Sequence, residues 1–199
     1  MKILNLYAGI GGNRKLWGDE HDITAIENEL YIAEAYRKMF PKDKVFVTDA
    51  HEFLLNHYKE FDLIWSSPPC PTHSRMRTSL VKSKPVYPDM KLYEEILFLT
   101  HFYKGIWVVE NVVSYYKPLV EPTAFIDRHY VWSSELLKSK SFHRHYEGRI
   151  TNQSKETLAA EYDIQLPDGT KNQRKLLRNA VHPHFGQYIF ETITNKENK

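Results

Sequence analysis

Cysteine is all but missing: Cys70 is the single one in 199 residues. An internal disulfide is therefore excluded, and the thiol serves either packing or reactivity. No apolar run is long enough to cross a membrane. The opening Met1-Lys2-Ile3-Leu4-Asn5 carries one charge and soon reaches glycines, unlike a signal peptide. With one cysteine and no such signal, a cytoplasmic protein with no membrane partner is expected. Net charge is small as well, +2, which does not by itself identify a nucleic-acid partner. Repeats and low-complexity tracts are absent. The length suits one domain, residues 1–199, with a sizeable core.

What is present is a regular alternation. Strands are expected at Ile3–Tyr7, Ile23–Ile26, Val45–Val47, Leu63–Trp65 and Ile106–Val109. Helices are expected at Asn13–Gly18, Tyr31–Met39 (stopped by Pro41), Phe53–Tyr58 and Asp89–Tyr103, the last with an apolar face at Leu92, Ile96 and Leu99. That order implies an α/β fold, a mostly parallel sheet with helices on both faces. The last third is less regular. Pro118 to Tyr130 reads as irregular, Tyr130–Trp132 as a strand and Ser139 to Asp163 as polar chain. Lys175–Ala180 and Phe185–Ile193 read as helices, and the tail 195–199 as frayed.

Polar groups recur at the strand ends: Glu27, Asp49, Cys70 and Glu110. Ligands of open parallel sheets bind at those ends, so the four would share one rim. Gly9-Ile10-Gly11-Gly12 follows the first strand, where glycines allow a close backbone approach to a nucleotide-type ligand. It is neither a phosphate-cradling P-loop nor a full dinucleotide fingerprint. Glu27 stands where an acid would accept from ribose hydroxyls, and Asp49 could accept from an adenine amino group. Cys70 sits in Ser66-Ser67-Pro68-Pro69-Cys70-Pro71-Thr72-His73-Ser74, a stiff loop after an apolar strand. Basic residues follow it directly: Arg75, Arg77, Lys82 and Lys84. Other clusters are Arg144 with Arg149, and Lys171, Arg174, Lys175 and Arg178; solvated surface charge is the ordinary reading of such groups. His143, His145, His182 and His184 form i, i+2 pairs with no cysteine beside them, so no metal site is expected.

Taken in order, these segments resemble the DNA (cytosine-5) methyltransferase family. Leu4 to Gly12 is similar to its S-adenosylmethionine loop, with Tyr7 where the family usually has phenylalanine. Ala25-Ile26-Glu27-Asn28 resembles the ribose-binding segment and Thr48-Asp49-Ala50 the adenine-binding one. Ser67-Pro68-Pro69-Cys70 resembles the Pro-Cys nucleophile loop, Val108-Val109-Glu110-Asn111-Val112 the Glu-Asn-Val motif, and Arg178-Asn179-Ala180-Val181 the C-terminal Asn-Ala-Val segment. The resemblance implies a Rossmann-like fold and S-adenosylmethionine as cofactor, bound by Tyr7, Ala8, Gly9, Gly11, Gly12, Glu27, Asn28, Asp49, Ala50, Pro69, Asn179 and Val181. There are departures. Pro71 replaces the glutamine that normally follows the cysteine. The Gln-x-Arg-x-Arg segment is not recognisable, and Arg128 is the candidate for its arginine, ahead of Arg144 and Arg149. The recognition region is reduced to about residues 131–172, and residues 173–193 would return to the cofactor side.

The implied chemistry is methylation of cytosine at carbon 5. A Cys70 thiolate would add to carbon 6 and make the ring an enamine able to attack a methyl donor. Arg75, Arg77 or a helix N-terminus could lower the thiol pKa. Glu110 would hold N3 and the exocyclic amine, donating a proton if burial raises its pKa. Asn111 would position the loop, and Arg128 would complete the catalytic set. Ser74, Arg75 and Arg77 would contact phosphates beside a flipped nucleotide, although Ser74 could equally cap a helix. DNA is the expected partner, in an enzyme of the restriction-modification or phage type. A separate recognition subunit or a homodimer would supply sequence reading. Two alternatives stand: the same chemistry on RNA or a nucleotide, and a non-catalytic nucleic-acid binder or partner subunit that keeps the fold.

Overall fold

The computed structural model describes residues 1–75 and 86–194. Lys82, Lys84 and Arg77, and the tail 195–199, lie outside the described residues. One seven-stranded sheet organises the chain. Its strands are β1 (Lys2–Leu6), β2 (Asp22–Ile26), β3 (Lys44–Phe46), β4 (Leu63–Ser66), β5 (Ile106–Val112), β6 (Ala124–Ile126) and β7 (His129–Ser133), in the order β3-β2-β1-β4-β5-β7-β6. The first five run parallel, and the β6–β7 hairpin adds antiparallel to β5. The helices are α1 (Leu30–Met39), α2 (Ala50–His57), α3 (Lys91–Phe102), α4 (Lys155–Tyr162), α5 (Gln173–Asn179) and α6 (Pro183–Thr194).

Alternate residues of the strands feed two cores. Ile3, Ile23, Trp65, Val108 and Val131 pack with Phe185 and Ile189 of α6. Leu4, Ile64, Val109 and Trp132 pack on the other face with Leu54 of α2 and Leu92, Ile96 and Leu99 of α3. Strands covered on both sides read as continuous apolar runs, as these do. The chain moves outward from β1 to β3, then returns across β1 to place β4 on its other side. That reversal between β1 and β4 opens a crevice at their carboxyl ends, the position where such sheets bind ligands. The glycine loop leaves β1 there, and the cysteine loop leaves β4. Among the described residues, no helix is long and apolar enough to cross a membrane.

Four local expectations need correction. Asn13–Gly18 forms only a 3-10 turn at Arg14–Leu16. Gly18, at φ 83°, ends the helical run, and Arg14 is drawn into the interior instead. The fifth strand does not stop at Val109. Its antiparallel ladder with β7 continues to Val112↔His129, so Glu110 and Asn111 lie inside it. Residues 124–126, expected irregular, form β6. Lys155–Tyr162, expected as plain polar chain, forms α4, begun by a Ser154 side chain that accepts from Thr157 N.

Arg14 and Asp43 form a buried pair. Arg14 Nε and Nη2 donate to Asp43 at 2.9 and 3.0 Å, and Tyr36 Oη donates to Asp43 at 2.8 Å. The Asp43 side chain is 1% exposed. Removing one member strands a buried charge, so Asp43→Ala should cost about 3–5 kcal/mol in urea denaturation. A loss near zero would mean that water reaches Arg14.

Candidate active site

The glycine loop is set from below and from the side. Asn13 Nδ2 donates to Asn5 Oδ1 at 2.8 Å, tying the loop back to β1. A Cβ on Gly12 would stand 2.2 Å from the carbonyl oxygen of Val181, so the segment after α5 closes directly on the loop. Gly9, at φ 55°, faces open space instead: a Cβ there would meet nothing within 4 Å. Glu27 is buried just past β2. Its carboxylate accepts from Gly9 N and Glu29 N, both at 3.0 Å, while burial raises its pKa. An open backbone cradle beside a buried carboxylate fits the glycine loop and ribose hydroxyls of an adenosyl cofactor.

Asp49 has a structural duty. One oxygen caps α2 by accepting from Glu52 N at 2.9 Å, and the other lies 3.3 Å from Lys91 Nζ. These bonds lower its pKa. Ala50 is buried in the first turn of α2; Asn28 and Pro69 are exposed at the rim. Asn179 is exposed at the end of α5, so within that segment the contact with the glycine loop comes from Ala180 and Val181.

The cysteine loop is bolted to the chain that leaves β5. Asn111 Nδ2 donates to Pro68 O at 2.9 Å, and Tyr115 N donates to His73 O at 3.1 Å. Ser74 bridges to Ser114, and Arg75 Nε donates to Ser114 O at 3.3 Å. The buried His73 meets Tyr116 Oη through Nδ1 at 2.5 Å. Pro71 is exposed and opens a turn in which Cys70 O accepts from His73 N and Ser74 N, each at 3.0 Å. Proline suits that position because its φ is already set. A cavity of about 370 Å³ lies outside this loop, among Arg75, Tyr115, Tyr116, Lys117 and Tyr130; neither Cys70 nor Glu110 lines it.

β4 ends at Ser66, opposite Val109, so one step further Glu110 pairs with Val131 of β7 on one edge and has the start of the cysteine loop, not a strand, on the other. Ser67 accepts from Trp65 Nε1 at 2.9 Å, and its hydroxyl opposes the upward shift of the Glu110 carboxyl. Glu110 is 5% exposed, and burial pushes its pKa up to about 7. Cys70 is half-buried, and its thiol is pushed up by burial and by the Glu110 charge. Among the described residues, Arg178 of α5 favours its thiolate. The two groups are thus linked: protonating Glu110 removes a repulsion from the Cys70 thiolate.

A family model described as C-5 cytosine-specific DNA methylase matches residues 1–118. The chain belongs to that family. Within the matched span lie the glycine loop, Glu27, Asp49, Cys70, Glu110 and Asn111. Among solved structures, the methyltransferase EhMeth of Entamoeba histolytica superposes with a TM-score of 0.62 at 10% identity, covering 97% of each chain. This likeness shows the shared Rossmann-like methyltransferase fold. A DNMT2 of Spodoptera frugiperda gives 0.49 at 18% identity, over 75% of this chain and 61% of that one. An S. pombe Dnmt2 methyltransferase gives 0.36 at 21% identity, over 56% and 34%. The chain therefore spans under two thirds of these two relatives. No curated protein matches it.

For a C-5 cytosine methylase, the missing arginine segment matters most. Arg128 is exposed on the β6–β7 turn, its carbonyl accepting from Val113 N. The residue near Glu110 is its neighbour His129, with Nε2 4.0 Å from the carboxylate. Burial holds His129 down to about 4, so it is neutral there, and 4.0 Å is too long for a hydrogen bond. Its Nδ1 is buried and unpartnered among the described residues. Strand alternation could have found it. In Arg128-His129-Tyr130-Val131, His129 shares the inward face with the core residue Val131. Arg178 had a weaker signal, its place directly before Asn179-Ala180-Val181. Ser67 had none beyond its place in the loop. Arg144 pairs with Asp127 and Tyr146. Of the histidine pairs, His145 and His182 each lie 3.3 Å from Glu161.

Proposed function

We propose that this protein is an S-adenosylmethionine-dependent methyltransferase that modifies carbon 5 of cytosine in DNA, with Cys70 as nucleophile. The observation that carries the reading is the junction at the ends of β4 and β5. There the loop of the half-buried Cys70 leaves the end of β4 beside β5, which carries the buried Glu110, and Asn111 of β5 holds the loop by donating to Pro68 O. Burial raises the carboxyl pKa to about 7, and its charge raises that of the thiol. Bound S-adenosylmethionine would supply an electrophilic methyl group. Gly9, Gly11 and Gly12 would face it with backbone, and Glu27 would accept from its ribose. Tyr7, Ala8, Asn28, Asp49, Ala50, Pro69, Asn179 and Val181 would complete its surroundings.

At the substrate, the Cys70 thiolate forms a bond to carbon 6, and the ring electrons move toward N3. Glu110 meets that charge with its proton, which a pKa near 7 makes available at neutral pH. The resulting enamine carries the nucleophilic carbon 5. After methyl transfer, a base such as water takes the carbon 5 proton, the carbon 6–sulfur bond breaks to release the Cys70 thiolate, and N3 returns its proton to Glu110, restoring the ring. Asn111 keeps Pro68, and with it the loop, at the level of Glu110. A cytosine in a duplex must leave its stack to reach this site. Ser74, Arg75 and Arg77 would meet the phosphates beside it. Sequence reading would come from a recognition subunit or a second copy.

RNA is the second reading, favoured by the little structure available for recognition between β7 and α5: a 3-10 turn and the eight residues of α4. The test is transfer from tritiated S-adenosylmethionine to mixed-sequence duplex DNA, with 5-fluorocytosine in DNA and in RNA as the covalent trap. Label and adduct on DNA are expected; adduct on RNA alone would replace DNA as substrate. Glu27→Ala should weaken S-adenosylmethionine at least about tenfold in calorimetry, through lost charged hydrogen bonds. Unchanged affinity would remove the cofactor from this rim.

A further inference from the structure

α3 carries a carboxylate that this chemistry does not use. Glu95 lies on the apolar face of the helix with Leu92, Ile96 and Leu99, and is fully buried. Both of its oxygens are engaged. Oε1 accepts from Tyr7 Oη at 2.6 Å and lies 3.2 Å from His51 Nδ1; Oε2 accepts from Ser66 Oγ at 2.5 Å. Tyr7 begins the glycine loop, Ser66 ends β4 just before the cysteine loop, and His51 follows Asp49 and Ala50. The same helix reaches this region twice more. Lys91 Nζ lies 3.3 Å from Asp49, and Glu94 Oε2 lies 3.6 Å from His51 Nε2.

Tyr7 adds an independent observation. Its φ is 54°, left-handed backbone that a bulky aromatic residue rarely adopts. Such a conformation persists when the surroundings over-determine it. Here the hydroxyl is anchored to a buried charge on another element. The buried carboxylate is in turn matched by His51, which it keeps protonated to higher pH than an ordinary histidine. The sheet aligns Leu6 with Ser66, but both strands end there. Past that register Ser67 N still donates to Leu6 O at 3.4 Å, and Glu95 adds a side-chain link between Tyr7, just after β1, and Ser66, the last residue of β4.

We propose that Glu95 is a positioning residue that, through Tyr7 and Ser66, sets the glycine loop and the cysteine loop relative to each other. The inference rests on reading these loops as cofactor rim and nucleophile loop. A change at Tyr7 is therefore felt at Cys70.

The test uses the single thiol as its own reporter. The rate of Cys70 alkylation by iodoacetamide is measured in wild type, Tyr7→Phe, Glu95→Gln and the double variant, with thermal melts alongside. Tyr7→Phe should change the rate at least about threefold, the scale of one lost hydrogen bond. Glu95→Gln should change it more, and Tyr7→Phe should add less in the Glu95→Gln background than alone, since Gln keeps one neutral acceptor for the Tyr7 hydroxyl. Unchanged alkylation in both single variants, even with lowered melting temperatures, would overturn the proposal and leave Glu95 a buried structural acid. Additive effects would overturn it too. If Glu95→Gln does not fold, the Tyr7→Phe rate decides alone. Alkylation needs no cofactor. A wild type that binds no S-adenosylhomocysteine would sink the cofactor reading, while the thiol rates would still decide the role of Glu95.

Discussion

Glu110→Gln is expected to stabilise the protein at pH 8 while removing most of its turnover. The Glu110 carboxyl titrates near 4.5 when exposed and is raised to about 7 in the fold. The folded state therefore holds a proton that the unfolded chain has already lost. Stability falls as pH rises from about 4.5 to about 7 and stays low above. The penalty at pH 8 is on the order of 3 kcal/mol by linkage. Glutamine keeps a similar shape but carries no charge to desolvate. Urea denaturation at pH 5 and pH 8 checks this. The wild type should lose most of this increment between the two, and the variant should not. Equal pH profiles would mean that Glu110 reaches water. Turnover should fall about 10²–10⁴-fold, because an amide cannot give N3 a proton. Alkylation of Cys70 above pH 7 should become faster in the same variant, since the charge opposing its thiolate is gone.

Cys70→Ser should abolish methyl transfer, by at least about 10³-fold, with S-adenosylmethionine affinity within about twofold of wild type. A serine hydroxyl is a far weaker nucleophile near neutral pH and cannot replace a thiolate at carbon 6. The free protein does not keep this thiol strongly activated: burial and Glu110 both raise its pKa, and Arg178 opposes them. Thiolate formation is thus tied to the protonated, neutral state of Glu110, whose proton passes to N3 only as the thiolate charge is consumed in the bond to carbon 6. Single-turnover transfer from labelled cofactor is the measurement. Turnover retained by the serine variant would remove Cys70 from the mechanism and favour the non-catalytic reading of the loop.

Much of this was legible before any coordinates. Of the five parallel strands, β1, β2, β4 and β5 were visible because they are largely buried on both faces and read as apolar runs, while β3 is a short edge strand whose outer residues are exposed. Gly9 to Gly12, Glu27 and Cys70 were legible because strand-to-helix turns carry ligand chemistry at fixed places. Glu95 was half legible, as an acid on the apolar face of Leu92, Ile96 and Leu99. Its partners were not, since Tyr7 and Ser66 are 88 and 29 residues away in the chain. Arg128 attracted attention because arginine was sought, while the strand's alternation turns His129 inward beside Glu110. α4 escaped because its apolar pattern is sparse, and β6 because three residues are too few for a period.

The amino-acid order alone was enough for the five parallel strands, most of their helices and the residue types at the strand ends. Local periodicity and turn chemistry act over a few residues and need no partner. Which of those groups meet was decided by the tertiary structure. The reversal between β1 and β4 brings the two loops together. The end of β4 at Ser66 exposes Glu110 to Cys70, and the return of the chain after α5 brings Arg178 and Val181 to the same rim. Burial, charge coupling and the raised carboxyl are properties of that assembled neighbourhood, because desolvation depends on everything packed around a group, not on its neighbours in the chain.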